Sequence, residues 1–149
     1  MANEARITSS LQIRKTASDG TVLLEYLSRP AAFTATVDGT KGPSPGAVTA
    51  LTTGTIVDLS ALTIPTFCRI GAQFSDTGNY VEWGIYDPQT DVFYPMGEVN
   101  PGESYIIKLS RNLLEEYTAT GTATTGATNK FMVKAFNASA VVLIEAFEK

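Results

Sequence analysis

Histidine is absent from the 149 residues, and Cys68 is the only cysteine. The first absence removes the commonest general base and the commonest neutral metal ligand together. The second excludes an internal disulfide, and Cys68 itself lies in the apolar run Thr66-Phe67-Cys68-Arg69-Ile70, where a thiol behaves as a small buried hydrophobe. Charge is scarce as well: charged residues make up 17% of the chain, against about 25% in ordinary globular proteins. The 11 basic side chains are scattered among 15 acidic ones for a net charge of −4, so no basic stripe is available for a phosphate backbone and direct nucleic-acid binding is not expected. No run approaches the roughly 20 apolar residues of a membrane span. The polar start Met1-Ala2-Asn3-Glu4-Ala5-Arg6 is not followed by a signal-peptide core, so synthesis in a cytoplasm is expected.

Thr, Ala, Gly and Ser occupy the space that charge leaves, beside 44% apolar residues. A chain of this length buries roughly 70% of its unfolded surface, enough for one core without staples. The expectation is a single all-β domain over residues 1–149, an antiparallel β-sandwich or barrel with at most one short helical turn. Strand-like segments recur every ten to fifteen residues: 7–15, 22–27, 32–37, 47–59, 67–74, 79–86, 91–99, 104–110, 131–136 and 140–147. Asp19-Gly20 and Asp87-Pro88-Gln89-Thr90 are turn signals, and Pro30 marks a corner or an edge. Within 79–86, Val81, Trp83 and Ile85 alternate with Tyr80, Glu82 and Tyr86, a period of two with one apolar face. The middle of the chain, 67–110, reads as an antiparallel meander. Flexible loops are expected near 38–46, rich in Gly and Pro, and near 118–129, a Thr/Ala/Gly run. Residues 110–117 supply the one helical turn, with Ser110 as N-cap. The closing strand is apolar on both sides, Val141, Leu143 and Phe147 opposite Val142, Ile144 and Ala146, which suits a central strand or a subunit interface.

Residues that carry chemistry elsewhere have plainer readings here. Asp87 and Asp91 bracket a turn with Glu98 on the returning strand, an arrangement suggestive of an oxygen-rich calcium site, but the spacing of a calcium loop is missing and Asp before Pro is ordinary turn initiation. Glu115 and Glu116 are adjacent and share no helix face. There is no Gly-x-Ser-x-Gly elbow, no His to activate a nucleophile and no phosphate-binding glycine loop, and nothing selects two of the acidic residues as a glycosidase pair. The chain is therefore read as non-enzymatic, with no catalytic, cofactor-binding or metal-ligating residue assigned. Trp83 is placed in the core, whereas Tyr80, Tyr86 and Tyr94 are candidate surface contacts beside Phe93 and Tyr105. Asn137-Ala138-Ser139 matches a glycosylation sequon and is read as a hairpin turn.

The stretch Asn79-Tyr80-Val81-Glu82-Trp83-Gly84-Ile85-Tyr86, followed by Phe93-Tyr94-Pro95-Met96-Gly97-Glu98-Val99, the turn Asn100-Pro101-Gly102-Glu103 and the ending Ile107-Lys108-Leu109-Ser110, resembles the small jelly-roll-like virion proteins of tailed bacteriophages. In that group an Asn-Tyr/Phe-Val-Glu-x-Gly string precedes a Pro-Gly-Glu turn. The resemblance implies a capsid decoration, cement or head-fibre protein, located in the virion. It would bind the major capsid protein or another virion protein and assemble as a homotrimer. No catalytic residues are implied. The alternatives are a phage tail or fibre component, or a carbohydrate- or receptor-binding β-sandwich using its tyrosines as stacking platforms.

Overall fold

The computed structural model describes residues 3–9, 12–27, 31–37, 43–62, 65–109 and 129–148, and the regular structure among them is all β, with no helix. The expected helical turn at 110–117 and the expected loop from 118 onward lie outside the described residues, apart from Asn129. The chain forms two compact units, Met1–Val37 and Asp38–Lys149.

The first unit holds β1 (Asn3–Ser9), β2 (Gln12–Thr16), β3 (Val22–Leu27) and β4 (Ala31–Val37). The sequence predicts one strand over 7–15. The structure has two there, because β1 pairs antiparallel with β4 while β2 pairs with β3, giving two separate two-stranded sheets. The β2–β3 hairpin turns where the sequence places it: Gly20 takes φ 84°, a left-handed conformation that costs glycine little, and the Thr21 amide donates to the Asp19 carboxylate at 2.9 Å. Ile13, Val22 and Leu23 on this hairpin are each about half exposed. A lone two-stranded ribbon is marginally stable in water.

The second unit is the sandwich. It comprises β5 (Ser44–Ala50), β6 (Thr55–Ile56), β7 (Pro65–Ala72), β8 (Val81–Asp87), β9 (Val92–Val99), β10 (Ser104–Lys108), β11 (Lys130–Ala135) and β12 (Ala140–Glu148). Two four-stranded antiparallel sheets run in the order β10-β7-β12-β5 and β6-β11-β8-β9. The pairing is nested: β5 with β12, β6 with β11, β7 with β10, β8 with β9. The eight strands are thus one long hairpin, rolled so that successive pairs alternate between sheets and then joined by β12–β7 and β11–β8. This is the strand order of a jelly roll.

Two expectations are corrected. The meander over 67–110 is not formed: β7 and β10 lie in one sheet, β8 and β9 in the other, so only β8–β9 is a hairpin of sequential neighbours. The inward apolar residues of these strands pack better across two layers than along one, and the Asn100–Glu103 turn carries the chain between layers. Likewise, Ser44, Pro45 and Gly46, assigned to a loop, open strand β5 beside β12. The two four-stranded sheets draw their strands from Ser44 onward.

The core sits between the sheets. Cys68, Ile70, Val142, Ile144 and Ala146 come from one side and Val81, Val99, Phe131, Val133 and Ala135 from the other, closed by Val57, Leu59, Leu62 and Leu109. Each fully buried Val or Ile contributes about 1.5–3 kcal/mol relative to exposure. Burial pushes the Cys68 thiol up to about 12, so it is a packing group. At one end, buried Asn79 ties the loop before β8 to the turn after β11. Its side-chain amide donates to the Ala138 carbonyl at 2.7 Å, and its carbonyl oxygen accepts from the Asn137 amide at 3.0 Å.

Candidate functional site

The alternation that fills the core also decides what each sheet shows to the outside. Strand β12 is central, between β7 and β5, and its second apolar set, Val141, Leu143 and Phe147, faces outward. Register lines up Ala47, Leu143, Gly71 and Ser104 in one cross-strand row and Pro45, Glu145, Arg69 and Ile106 in the next. This outer face is therefore small and apolar, with Ile106 52% exposed. The charges in the second row meet each other: Arg69 Nη1 donates to Glu145 Oε2 at 2.7 Å.

The other sheet is built differently. Outward from β8 point Glu82, Gly84 and Tyr86, and register extends them into three rows: Lys134-Glu82-Glu98, Met132-Gly84-Pro95 and Lys130-Tyr86-Phe93. A hollow of about 460 Å³ opens between the charged row and the aromatic row, lined by Glu82 and Lys134 on one side, Tyr86 and Phe93 on the other, and Met132 and Pro95 between them. Gly84 is required by its surroundings, because a Cβ there would run into the carbonyl oxygen of Tyr94, where a bulge brings β9 close. The Tyr86 hydroxyl donates to Asp91 Oδ1 at 2.7 Å, fixing the ring over one wall; the same bond keeps the phenol protonated by raising its pKa. Asp91 itself sits at φ 55°, a conformation that Asp tolerates better than most residues. Glu82 and Lys134 are direct cross-strand neighbours, yet neither makes a hydrogen bond or ion pair among the described residues.

The residues singled out in the sequence fall into three groups. Asp87 is a turn residue, its carboxylate accepting from the Gln89 amide and the Thr90 hydroxyl, each at 2.8 Å, which holds it below the usual carboxylate range. Glu98 turns instead to the Asn100 side chain, at 3.3 Å, so the imagined oxygen cluster does not converge; among the described residues no three His, Cys, Asp or Glu side chains do. Trp83 faces the core, its indole lying over Gly97, where a Cβ would come within 2.6 Å of the ring. Its Nε1 is buried without a hydrogen-bond partner. Tyr80 stacks on Phe136 with ring centroids 4.6 Å apart, while Tyr94 and Tyr105 are exposed. The sequon Asn137 is occupied structurally, its side-chain amide donating to the Gly78 carbonyl at 2.5 Å. Glu115 and Glu116 lie outside the described residues. The hollow was missed from sequence; a glycine in the middle of the alternating strand signals only the close approach of β9 beside it.

Fold and surface together define an eight-stranded jelly-roll sandwich with one apolar and one polar, hollowed outer face. Compared with protein-family models, curated proteins and solved structures, the chain gives no match.

Proposed function

We propose that this chain is a bacteriophage virion structural protein, a capsid decoration or cement subunit that docks on the shell through its β10-β7-β12-β5 face. The observation that carries the reading is the second apolar side of β12. A strand whose inner residues already fill the core has no folding reason to carry Val141, Leu143 and Phe147 outward. The Arg69–Glu145 pair is matched within that face and Lys108, 6.0 Å from the Phe67 ring centroid, lies towards its edge strand, so burying the part around Val141 and Leu143 against another protein desolvates little charge. Jelly rolls serve both as viral capsid domains and as lectins, which agrees with the reading by analogy of fold.

Magnitudes say that one face is not enough. Four strands at about 4.8 Å spacing and about 23 Å length project on the order of 400 Å², against about 800 Å² per partner in a standard interface. The exposed β2–β3 hairpin, with Ile13, Val22 and Leu23, is the second point of attachment in this reading. Copies assemble as a homotrimer at symmetric junctions of the shell and bridge neighbouring capsid subunits. The mechanism is adhesive, with no catalytic step.

The test is co-sedimentation of purified protein with shells lacking it. Wild-type protein should pellet with shells, and Leu143→Glu, which places a charge in the face, should lose at least about tenfold in affinity while keeping its fold. Wild-type protein that stays in the supernatant would overturn the reading.

A further inference from the structure

The hollow on the opposite sheet has no part in shell docking, since the outer faces of a sandwich point away from each other. Its volume, about 460 Å³, lies within the roughly 300–1,000 Å³ range of small-ligand sites. By strand rise, the charged row at Glu82 and the aromatic row at Tyr86 stand about 13 Å apart, with Gly84, Met132 and Pro95 between them.

From this geometry we propose that the hollow between Glu82, Lys134, Tyr86 and Phe93 is a binding site for a neutral saccharide. The chemistry of its walls selects that class. Phe93 and Tyr86, direct cross-strand partners, offer apolar ring surface for the C–H face of a sugar, and the Tyr86–Asp91 bond holds one of those rings in place before a ligand arrives. Facing them, the Glu82 carboxylate supplies free acceptors and the Lys134 ammonium free donors, the two kinds of partner that a vicinal pair of hydroxyls needs. Thr53 adds a hydroxyl at the rim. The charges nearly cancel: Glu82, Asp91 and Glu98 of the charged row stand against Lys134 and Lys130, a net of one negative charge, which disfavours an anion and leaves only a weak field for a cation. A metal ion is not favoured by this set, because the acidic groups do not converge. A subunit docked through the apolar sheet would present this hollow to the medium.

The test uses the full chain, isotopically labelled, with a panel of glucose, galactose, N-acetylglucosamine, N-acetylgalactosamine and their disaccharides at millimolar concentration. Amide resonances of Glu82, Gly84, Tyr86 and Lys134 should shift with at least one member. Glu82→Gln and Phe93→Ala should each weaken that binding by about five- to tenfold, the scale of one charge-assisted hydrogen bond or one stacking contact. Spectra away from the hollow should stay unchanged, which separates lost binding from lost fold. Three results would overturn the proposal: a panel that moves none of these resonances, shifts that map elsewhere, or shifts that persist in the Glu82→Gln/Phe93→Ala double variant. Saturable binding of lysine amide in place of every sugar would reassign the hollow to a cationic peptide. Shell binding is read in a separate assay, so either proposal can fail alone.

Discussion

The two outer faces of the sandwich are made from the same number of antiparallel strands around the same core, yet they have little else in common. On the β10-β7-β12-β5 side the rows are mostly small and apolar, with Thr49, one ion pair and Lys108 over the Phe67 ring; on the β6-β11-β8-β9 side they are charges, rings and the hollow between them. The inner faces had no such freedom, because close packing between sheets fills those positions with apolar side chains, chiefly Val, Ile, Ala, Phe, Trp83 and a buried thiol. The core does not require this divergence, and it is what the two proposals, protein docking on the apolar side and saccharide binding on the polar side, rest on.

If inner and outer sets of one strand differ as described, truncating them in β12 should separate cleanly. Ile144→Ala, at a fully buried position, should cost about 4 kcal/mol in denaturant unfolding, whereas Leu143→Ala, next to it but facing out, should cost about 1 kcal/mol. Equal costs would mean that the outer face is covered within the chain, and the contrast would be lost. On the other sheet Gly84→Ala should destabilise by about 3 kcal/mol, since the methyl group meets the Tyr94 carbonyl and backbone cannot give way as a side chain can. A thermal melt close to wild type would show instead that the bulge yields.

Smaller effects sharpen the same comparison. Replacing Arg69 and Glu145 singly and together should return a coupling below about 1 kcal/mol, as for other exposed pairs, because this pair's value lies in neutralising the face. One residue away in β7, Cys68 should resist iodoacetamide at neutral pH until the protein unfolds, its thiol being pushed up to about 12 by burial. Rapid labelling of native protein would place β7 in a looser sheet than the one described. The smallest effect concerns the turn that carries β9 to β10. Glu103 accepts from the Asn100 amide at 2.9 Å and is thereby held below its usual carboxylate range. Its contribution to stability is therefore complete above the unfolded value of about 4.3 and is lost as pH falls through the lower folded value. Wild type should lose its advantage over Glu103→Gln in melts below about pH 4.

Much of this molecule is legible in the sequence by itself. Period-two alternation in 79–86 identifies Val81 and Trp83 as inward and Glu82 and Tyr86 as outward. The turns at Asp19-Gly20 and Asp87–Thr90 stand where the sequence puts them, and the doubly apolar β12 is a central strand. These features are local, because a strand's faces and a turn's residues depend on neighbours a few positions away. Partner choice is not local. Nothing in residues 67–110 says that β7 should leave β8 for β10, and nothing in 7–15 says that one segment should serve two different partners. Pairings between β5 and β12 span most of the second unit and are decided by which apolar faces close against each other. The hollow belongs to the same class of fact. Glu82, Phe93 and Lys134 are ordinary residues on three strands until register sets them around the hollow, and register exists only once the sheet has formed.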